Sequence, residues 1–399
     1  MNYISLFSAG GVGCFGFKQE KFECIATSEI IERRLNIQKY NNKTKYKNGY
    51  ILGDITEKTI KNKLFEAIKF YKEKENVKDI DVIIFTPPCQ GMSVANHKKN
   101  DGTIEKNSLV VESLEIVKKI KPKFFVSENV RSFMNTKCID HNETKTIKDA
   151  FHNWLNEDYF YEDKVINFKD YGANSSRTRC LVIGVRKDLI NNVYPNDLFP
   201  AREKEKTLKE VIGNLPKLEK MGEISSKDIY HNFKEYREDM RAWIHDIKEG
   251  ESAFDNKDIH KRPHKIVNGK LIPNANKNSS KYTRQYWNHV APCIHTRNDI
   301  LASQNTVHPE DDRVFSIREL MLLMNIPKEF KWTSTSEETL NKLTIDEKKQ
   351  FLKKNEINIR QCIGEAVPTV IMQKIAKNIK DVLINGKKTI PPNGQTRLI

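Results

Sequence analysis

The chain has 399 residues, 68 of them Lys or Arg against 53 acidic, for a formal net charge of +15. That length allows two domains and a sizeable core, and the basic excess favours a polyanionic partner, which is a statement about association and not about fold. The seven cysteines (14, 24, 89, 138, 180, 293 and 362) are scattered without a C-x-x-C pair. With no apolar run of about 18 residues either, metal fingers, a disulfide framework and a membrane-spanning helix are all disfavoured. MNYISLFSAGG lacks the basic and long apolar regions of a signal peptide, and a reducing, cytoplasmic setting is expected.

Tyr3 to Phe7 reads as a first strand running into SAGGVGCFGF, where Gly11, Gly13 and Gly16 satisfy G-x-G-x-x-G. Such a turn brings backbone amides to a ligand at a helix N-terminus, although glycines also simply make tight turns. Phe22 to Thr27 predicts a second strand with Glu29 just beyond it, a position suited to ribose hydroxyls. Tyr50 to Leu52 predicts a third, followed by Gly53, Asp54 and Ile55. Together these strand ends describe a nucleoside pocket; each acid alone could be a cap or turn residue.

Residues 57–78 predict a solvated helix returning to IDVIIFTPPCQGMS (80–93), the stretch around which the chain is arranged. Val82 to Phe85 suits a buried parallel strand, and Thr86-Pro87-Pro88 stops it. Cys89 then falls just past the carboxyl end of the strand, where open α/β sheets place their ligands. The plain alternative for a free cysteine is a small buried hydrophobe. Polar 97–107 has the composition of a flap. Next comes a helix with Leu109, Val110, Leu114, Val117 and Ile120 on one face, then a strand from Phe124 ending at Glu128-Asn129-Val130. Glu128 reaches the same sheet edge as Cys89, unless it serves as a helix cap.

Tyr159–Phe168 and Cys180–Val185 predict a hairpin pair, with Arg177 and Arg179 alternating on one strand face and pointing the same way. Residues 201–312 are polar and turn-rich. Within them, 259–286 holds seven Lys or Arg and no acid, interleaved with Tyr282 and Tyr286, a nucleic-acid footprint. Ser316 to Asn325 predicts an amphipathic helix capped by Ser316 with Glu319 in its first turn. A charged helical insertion follows over 337–356, and GEAVP (364–368) precedes a helix carrying Val370, Ile371, Ile375, Ile379 and Val382 on one face.

These segments, in this order, resemble the DNA (cytosine-5) methyltransferase family over nearly the whole chain. LFSAGGVG is similar to its glycine-rich cofactor motif, TPPCQGMS to its catalytic motif, SENV to its Glu-Asn-Val motif and Arg177-Thr178-Arg179 to the end of its Gln-x-Arg-x-Arg motif. HPEDDRVFSIRELMLLMNIP and GEAVP are similar to its later motifs. Three positions depart from the pattern: Asn174 stands for Pro, Ser175 for Gln and Glu365 for Asn.

The resemblance implies a doubly wound, Rossmann-like α/β methyltransferase sheet with a smaller, irregular target-recognition domain. It places the catalytic and cofactor domain at 1–200, completed by helix 360–385, the recognition domain at 201–335 and the charged insertion at 336–359. It implies that Phe7, Ser8, Ala9, Gly10, Gly11, Gly13, Glu29, Asp54, Ile55 and Pro88 bind S-adenosyl-L-methionine. Cys89, Glu128, Arg177 and Arg179 would be catalytic. Gln90, Ser93, Arg262, Lys265, Arg284 and Arg297 would contact double-stranded DNA, and the 90–107 loop would close behind a flipped base. A cognate restriction endonuclease is a candidate partner; a metal and a membrane are not expected. The chemistry accounts for these residue types. Carbon 5 of cytosine is a poor nucleophile until a thiolate adds at carbon 6, while an acid at ring nitrogen 3 keeps charge from accumulating. Two other readings fit less of the chain. A nicotinamide dehydrogenase leaves TPPCQ, SENV and the basic region unused. A tRNA cytosine-5 methyltransferase shares Pro-Pro-Cys, but the basic variable region favours DNA.

Overall fold

The apolar run Val82–Phe85 alternates its side chains between two buried layers. Ile83 and Phe85 join Ile4, Leu6 and Phe125 in one cluster, whereas Val82 and Ile84 join Tyr3, Phe124 and Val126 in the other. A strand apolar on both faces needs helices on both sides, and the chain supplies them. The computed structural model describes residues 1–88, 107–275, 278 and 280–386.

The first part runs β1 (Asn2–Leu6), α1 (Phe15–Gln19), β2 (Glu23–Glu29), α2 (Glu32–Tyr40), β3 (Tyr50–Leu52), α3 (Lys58–Glu75), β4 (Val82–Phe85), α4 (Leu109–Ile120) and β5 (Phe124–Val130). It continues with β6 (Lys137–Asp140), β7 (Glu143–Thr146), α5 (Ile147–Leu155), β8 (Tyr159–Asn167) and β9 (Thr178–Arg186). The seven-stranded sheet has the order β3-β2-β1-β4-β5-β9-β8, with β4 at its centre. Strands β1 to β5 pair parallel, whereas β9 runs antiparallel to both β5 and β8. This is the expected doubly wound α/β architecture. The β6–β7 hairpin and α5, whose Thr146/Asp149 capping box fixes its start, were not read from sequence.

Beyond the sheet lie α6 (Leu208–Ile212), α7 (Asp239–His245), β10 (His264–Val267), β11 (Lys270–Pro273), α8 (Ile317–Leu323), α9 (Glu337–Asn341), α10 (Ile345–Glu365) and α11 (Thr369–Asn385). Helix α11 returns to the sheet and buries Ile371, Ile375 and Ile379 against it. Its approach to α1 is close: a Cβ on Gly16 would stand 2.4 Å from the Gln373 amide nitrogen and 2.6 Å from the Thr369 carbonyl oxygen. Gly16 therefore serves helix packing. The boundary expected at 359/360 falls inside α10, which runs unbroken through Glu365, so the charged stretch is the front of the helix carrying Gly364 and Glu365.

Residues 243–314 enclose a small core of their own, containing Trp243, Ile244, Ile247, Tyr282, Leu301, Val307 and Val314. Tyr282 is thus a core ring packed edge-on against Trp243, not an exposed stacking platform. The β10–β11 hairpin was also missed. Its signal is Asn268-Gly269, both at positive φ (49° and 74°) as a two-residue turn demands. Ser316 caps α8 as expected, in a capping box with Glu319. Among the described residues, no helix is long and apolar enough to cross a membrane, and no group of three or more His, Cys, Asp or Glu is placed to hold a metal.

Candidate functional site

The carboxyl ends of β1, β4 and β5 lie side by side, and hydrogen bonds tie the three exits together. Leaving β4, Thr86 donates from its amide to the Leu6 carbonyl (3.3 Å) and from Oγ1 to that of Phe7 (2.9 Å). One residue later, the Pro87 carbonyl, which no strand partner can take, accepts from Nδ2 of Asn129 on β5 (2.8 Å). The chain that enters Pro88-Cys89 is therefore held between the β1 turn and the Glu128-Asn129 strand. Asn129 was seen in the sequence only as part of a motif; its side chain here anchors the β4 exit at Pro87. Cys89, Gln90, Ser93 and the 90–106 part of the expected flap lie outside the described residues.

Glu128 is 7 % exposed, and its Oε1 stands 3.1 Å from Nε of Arg179. Register explains the meeting: Arg179 pairs with Val130, one same-face step from Glu128, so the long guanidinium reaches diagonally across the two strands. Arg177 departs from its expectation. It precedes β9, is 5 % exposed, and Nη1 donates to the carbonyls of Ile294 and Gly364, both at 3.2 Å. The two arginines thus serve different ends, Arg179 holding the acid and Arg177 joining three chain segments. Burial works against the Arg177 charge, as does neighbouring Arg179. His295, which sequence reasoning missed, is held below its usual pKa by burial, then by Arg177 and Arg179.

The described thiols narrow the choice of nucleophile. Burial pushes Cys24, Cys180 and Cys362 up to about 12 and Cys138 up to about 11, so none is a thiolate at neutral pH. Cys293, partly exposed, lies 3.9 Å from Nη1 of Arg177.

On the other side of β1, the turn Phe7–Gly11 is bent by positive φ at Phe7 (57°), Ala9 (45°) and Gly11 (80°). Gly10 and Gly13 pack against Cys362 and Val367 of the closing segment. Glu29 is buried at the end of β2, and its Oε1 accepts from the Ile31 amide (2.9 Å). Arg34 of α2 approaches the same oxygen at 4.0 Å and pairs with Glu365. The departure at 365 is thereby explained locally, a carboxylate having a cation to meet. Asp54 is half-buried with Oδ1 taken up by the Thr56 amide and hydroxyl, an Asx turn, and Ile55 is in the core.

Of the expected DNA contacts, Arg262, Lys265 and Arg297 are exposed, with Arg297 Nε 3.0 Å from Asp299. Arg284 is not available. It is 4 % exposed and its guanidinium donates to the carbonyls of Ile244, Ile247, His308, Glu310 and Asp311 and to Asp312. An arginine so engaged organises loops and cannot turn to a phosphate.

A doubly wound sheet with a glycine turn, a buried acid at the second strand end and an acid–arginine pair on the strand next to the Pro87-Pro88 exit is the setting of an α/β enzyme whose ligand lies at the carboxyl ends of its strands. The sequence matches the C-5 cytosine-specific DNA methylase family over residues 1–381, and the chain belongs to that family. It methylates carbon 5 of cytosine in DNA. It is 27% identical over 388 residues to the Type II methyltransferase M1.HgaI of Avibacterium volantium, covering 94% of this chain and 97% of the other. To M1.HphI of Haemophilus parahaemolyticus it is 27% identical, covering 95% and 86%. Among solved structures, a DNA modification methyltransferase from an E. coli prophage superposes with a TM-score of 0.64 at 20% identity, covering 96% and 99%. Entamoeba histolytica methyltransferase EhMeth gives 0.53 at 15%, covering 96% and 98%. At these identities the two structures speak to fold alone.

Proposed function

We propose that the chain is the methyltransferase of a Type II restriction-modification pair, acting on a specific sequence in double-stranded DNA with S-adenosyl-L-methionine as donor. A cognate endonuclease would cut the same site. The catalytic unit would be 1–200 with α11, and the reading unit 201–335. The donor pocket fits on one structural observation: Oε2 of Glu365, close to Glu29, is buried with no hydrogen-bond partner among the described residues, an acceptor left over for donors such as hydroxyls that a ligand would bring. Glu29 would take the ribose hydroxyls and the 7–13 turn the rest. When bound, S-adenosyl-L-methionine supplies an electrophilic methyl group.

The remaining chemistry belongs to the chain. The Cys89 thiolate adds to carbon 6 of the flipped cytosine, shifting an electron pair to carbon 5. Glu128 hydrogen-bonds or protonates ring nitrogen 3, and Arg179 fixes the carboxyl group that does so. After carbon 5 is methylated, loss of its proton returns the electron pair and expels Cys89. Arg177 supports this indirectly by holding Cys293-Ile294 and Gly364 at the start of β9. The observation that carries the reading is the tethering of the β1 and β5 exits to Thr86 and Pro87 of the β4 exit, with Glu128, next to Asn129, paired with Arg179. Incorporation of labelled methyl groups into duplex DNA and tRNA, assayed side by side, tests it: DNA alone should be labelled.

A further inference from the structure

Lys43 follows the turn that ends α2, and its side chain points inward with only 9 % of the residue exposed. Its Nζ lies within hydrogen-bond range of four neutral oxygens: Ser8 Oγ (2.8 Å), Ser5 Oγ (3.0 Å), Thr27 Oγ1 (3.0 Å) and Gln38 Oε1 (3.1 Å). Among the described residues, no carboxylate forms an ion pair with it. A buried ammonium without a counter-anion is an expensive way to fill space, since a methionine would occupy the same volume without desolvating a charge. Its contacts suggest what the charge does. Ser8 sits between Phe7 and Ala9, both in the left-handed region that side chains disfavour. Ser8 Oγ is bonded to Lys43 and to Thr27 Oγ1 (2.9 Å), and the Ala9 carbonyl accepts from Nε2 of Gln38 (2.6 Å). Gln38 in turn accepts from Thr27 (2.7 Å) and from Lys43. Ser5, Ser8, Thr27 and Gln38, from β1, its turn, β2 and α2, therefore meet on one nitrogen.

We propose that Lys43 is a positioning residue for the methyl donor, holding the Phe7–Gly11 turn in its strained, ligand-ready shape through Ser8 and, with Gln38, through Ala9. The inference rests on that turn being the donor site. A turn of this kind relaxes when its clamp is removed, and its amides lose their common direction. Lys43→Met keeps the volume and removes the four hydrogen bonds.

Titration calorimetry with S-adenosylhomocysteine on the full chain is the test. Lys43→Met should bind it at least tenfold more weakly, with duplex DNA affinity unchanged, and should raise the KM for the donor while kcat at saturation stays near wild type. Faster hydrogen exchange in the 5–13 backbone should accompany the loss. Binding within twofold of wild type would overturn the inference and leave the cofactor reading intact; wild type showing no binding would overturn both. Should Lys43→Met not fold, Gln38→Leu, which frees the Ala9 carbonyl, decides in the same way: the same tenfold loss supports the clamp and unaltered binding removes it.

Discussion

Arg179 reaches Glu128 across the antiparallel β5–β9 pair, one same-face step out of register, with Nε 3.1 Å from Oε1. The acid that would meet ring nitrogen 3 is thus oriented by the next strand. Arg179→Ala should lower kcat about 10²-fold, and Glu128→Gln about 10²- to 10⁴-fold, with DNA binding little changed. Single-turnover kinetics and a filter-binding isotherm on the same preparations check both.

Arginines that look alike in sequence should separate sharply. Arg284→Ala strips five carbonyls of their donor and Asp312 of its buried cation, leaving Asp312 only His245 and Arg241, and should destabilise the fold by about 3–5 kcal/mol, read by urea unfolding. Arg262→Ala, exposed, should leave unfolding unchanged and weaken DNA binding. Replacing exposed Lys265 and Lys270 of the hairpin together should flatten the slope of log affinity against log salt by about 2 if both meet phosphates.

The contrast shows what the sequence could and could not convey. The sheet, its exits, the Ser316 cap and the closing helix were legible because alternation, prolines and capping chemistry are local signals. The β10–β11 hairpin has a local signal as well, Asn268-Gly269, set inside a stretch whose basic charge is the louder pattern. What no local pattern carries is where a long side chain ends. Arg177 and Arg179 share a parity, yet one reaches Gly364 and the other Glu128, because their partners come from chain far away. Likewise Tyr282 and Arg284 read as nucleic-acid contacts and are core. Lys43 carries no motif at all.

Acid should loosen the second region through His308. It is 4 % exposed, its Nδ1 accepts from the amides of Glu310 (3.2 Å) and Asp311 (2.9 Å), and burial holds its pKa down at about 3. Glu319 pulls the other way and Arg313, Arg284 and His231 reinforce the depression. The native ring stays neutral while the unfolded one takes a proton below its ordinary pKa of about 6.5, so stability is full above that pH and declines below it. The decline should approach about 1.4 kcal/mol per pH unit from this group. Glu319, depressed well below the carboxylate range, mainly by Arg313, adds to the loss below its unfolded pKa of about 4.3. His308→Asn, whose Oδ1 can accept the same amides, should reduce the slope between about pH 6.5 and 4.5 in denaturant titrations, leaving the part that His295, likewise held below its usual pKa, contributes.

Packing makes its own prediction. With the α11 backbone 2.4 Å from where a Cβ would stand, Gly16→Ala should push α1 off α11 and destabilise by about 1–3 kcal/mol. Chemical denaturation measures this directly, and because Gly10 and Gly13 pack on the same closing segment, donor affinity should fall with it.

The central claim is that Cys89, delivered by the tethered β4 exit, bonds covalently to carbon 6 of a cytosine beside Glu128. A duplex carrying 5-fluorocytosine at the target cannot lose its carbon 5 substituent as a proton, so the adduct should persist. Incubated with S-adenosyl-L-methionine, the wild-type protein should migrate with the DNA after denaturation, and a peptide containing Cys89 should carry the modified base. Cys89→Ser should bind the duplex and form no adduct. Trapping on a different residue, or near-normal turnover by Cys89→Ser, would contradict the account.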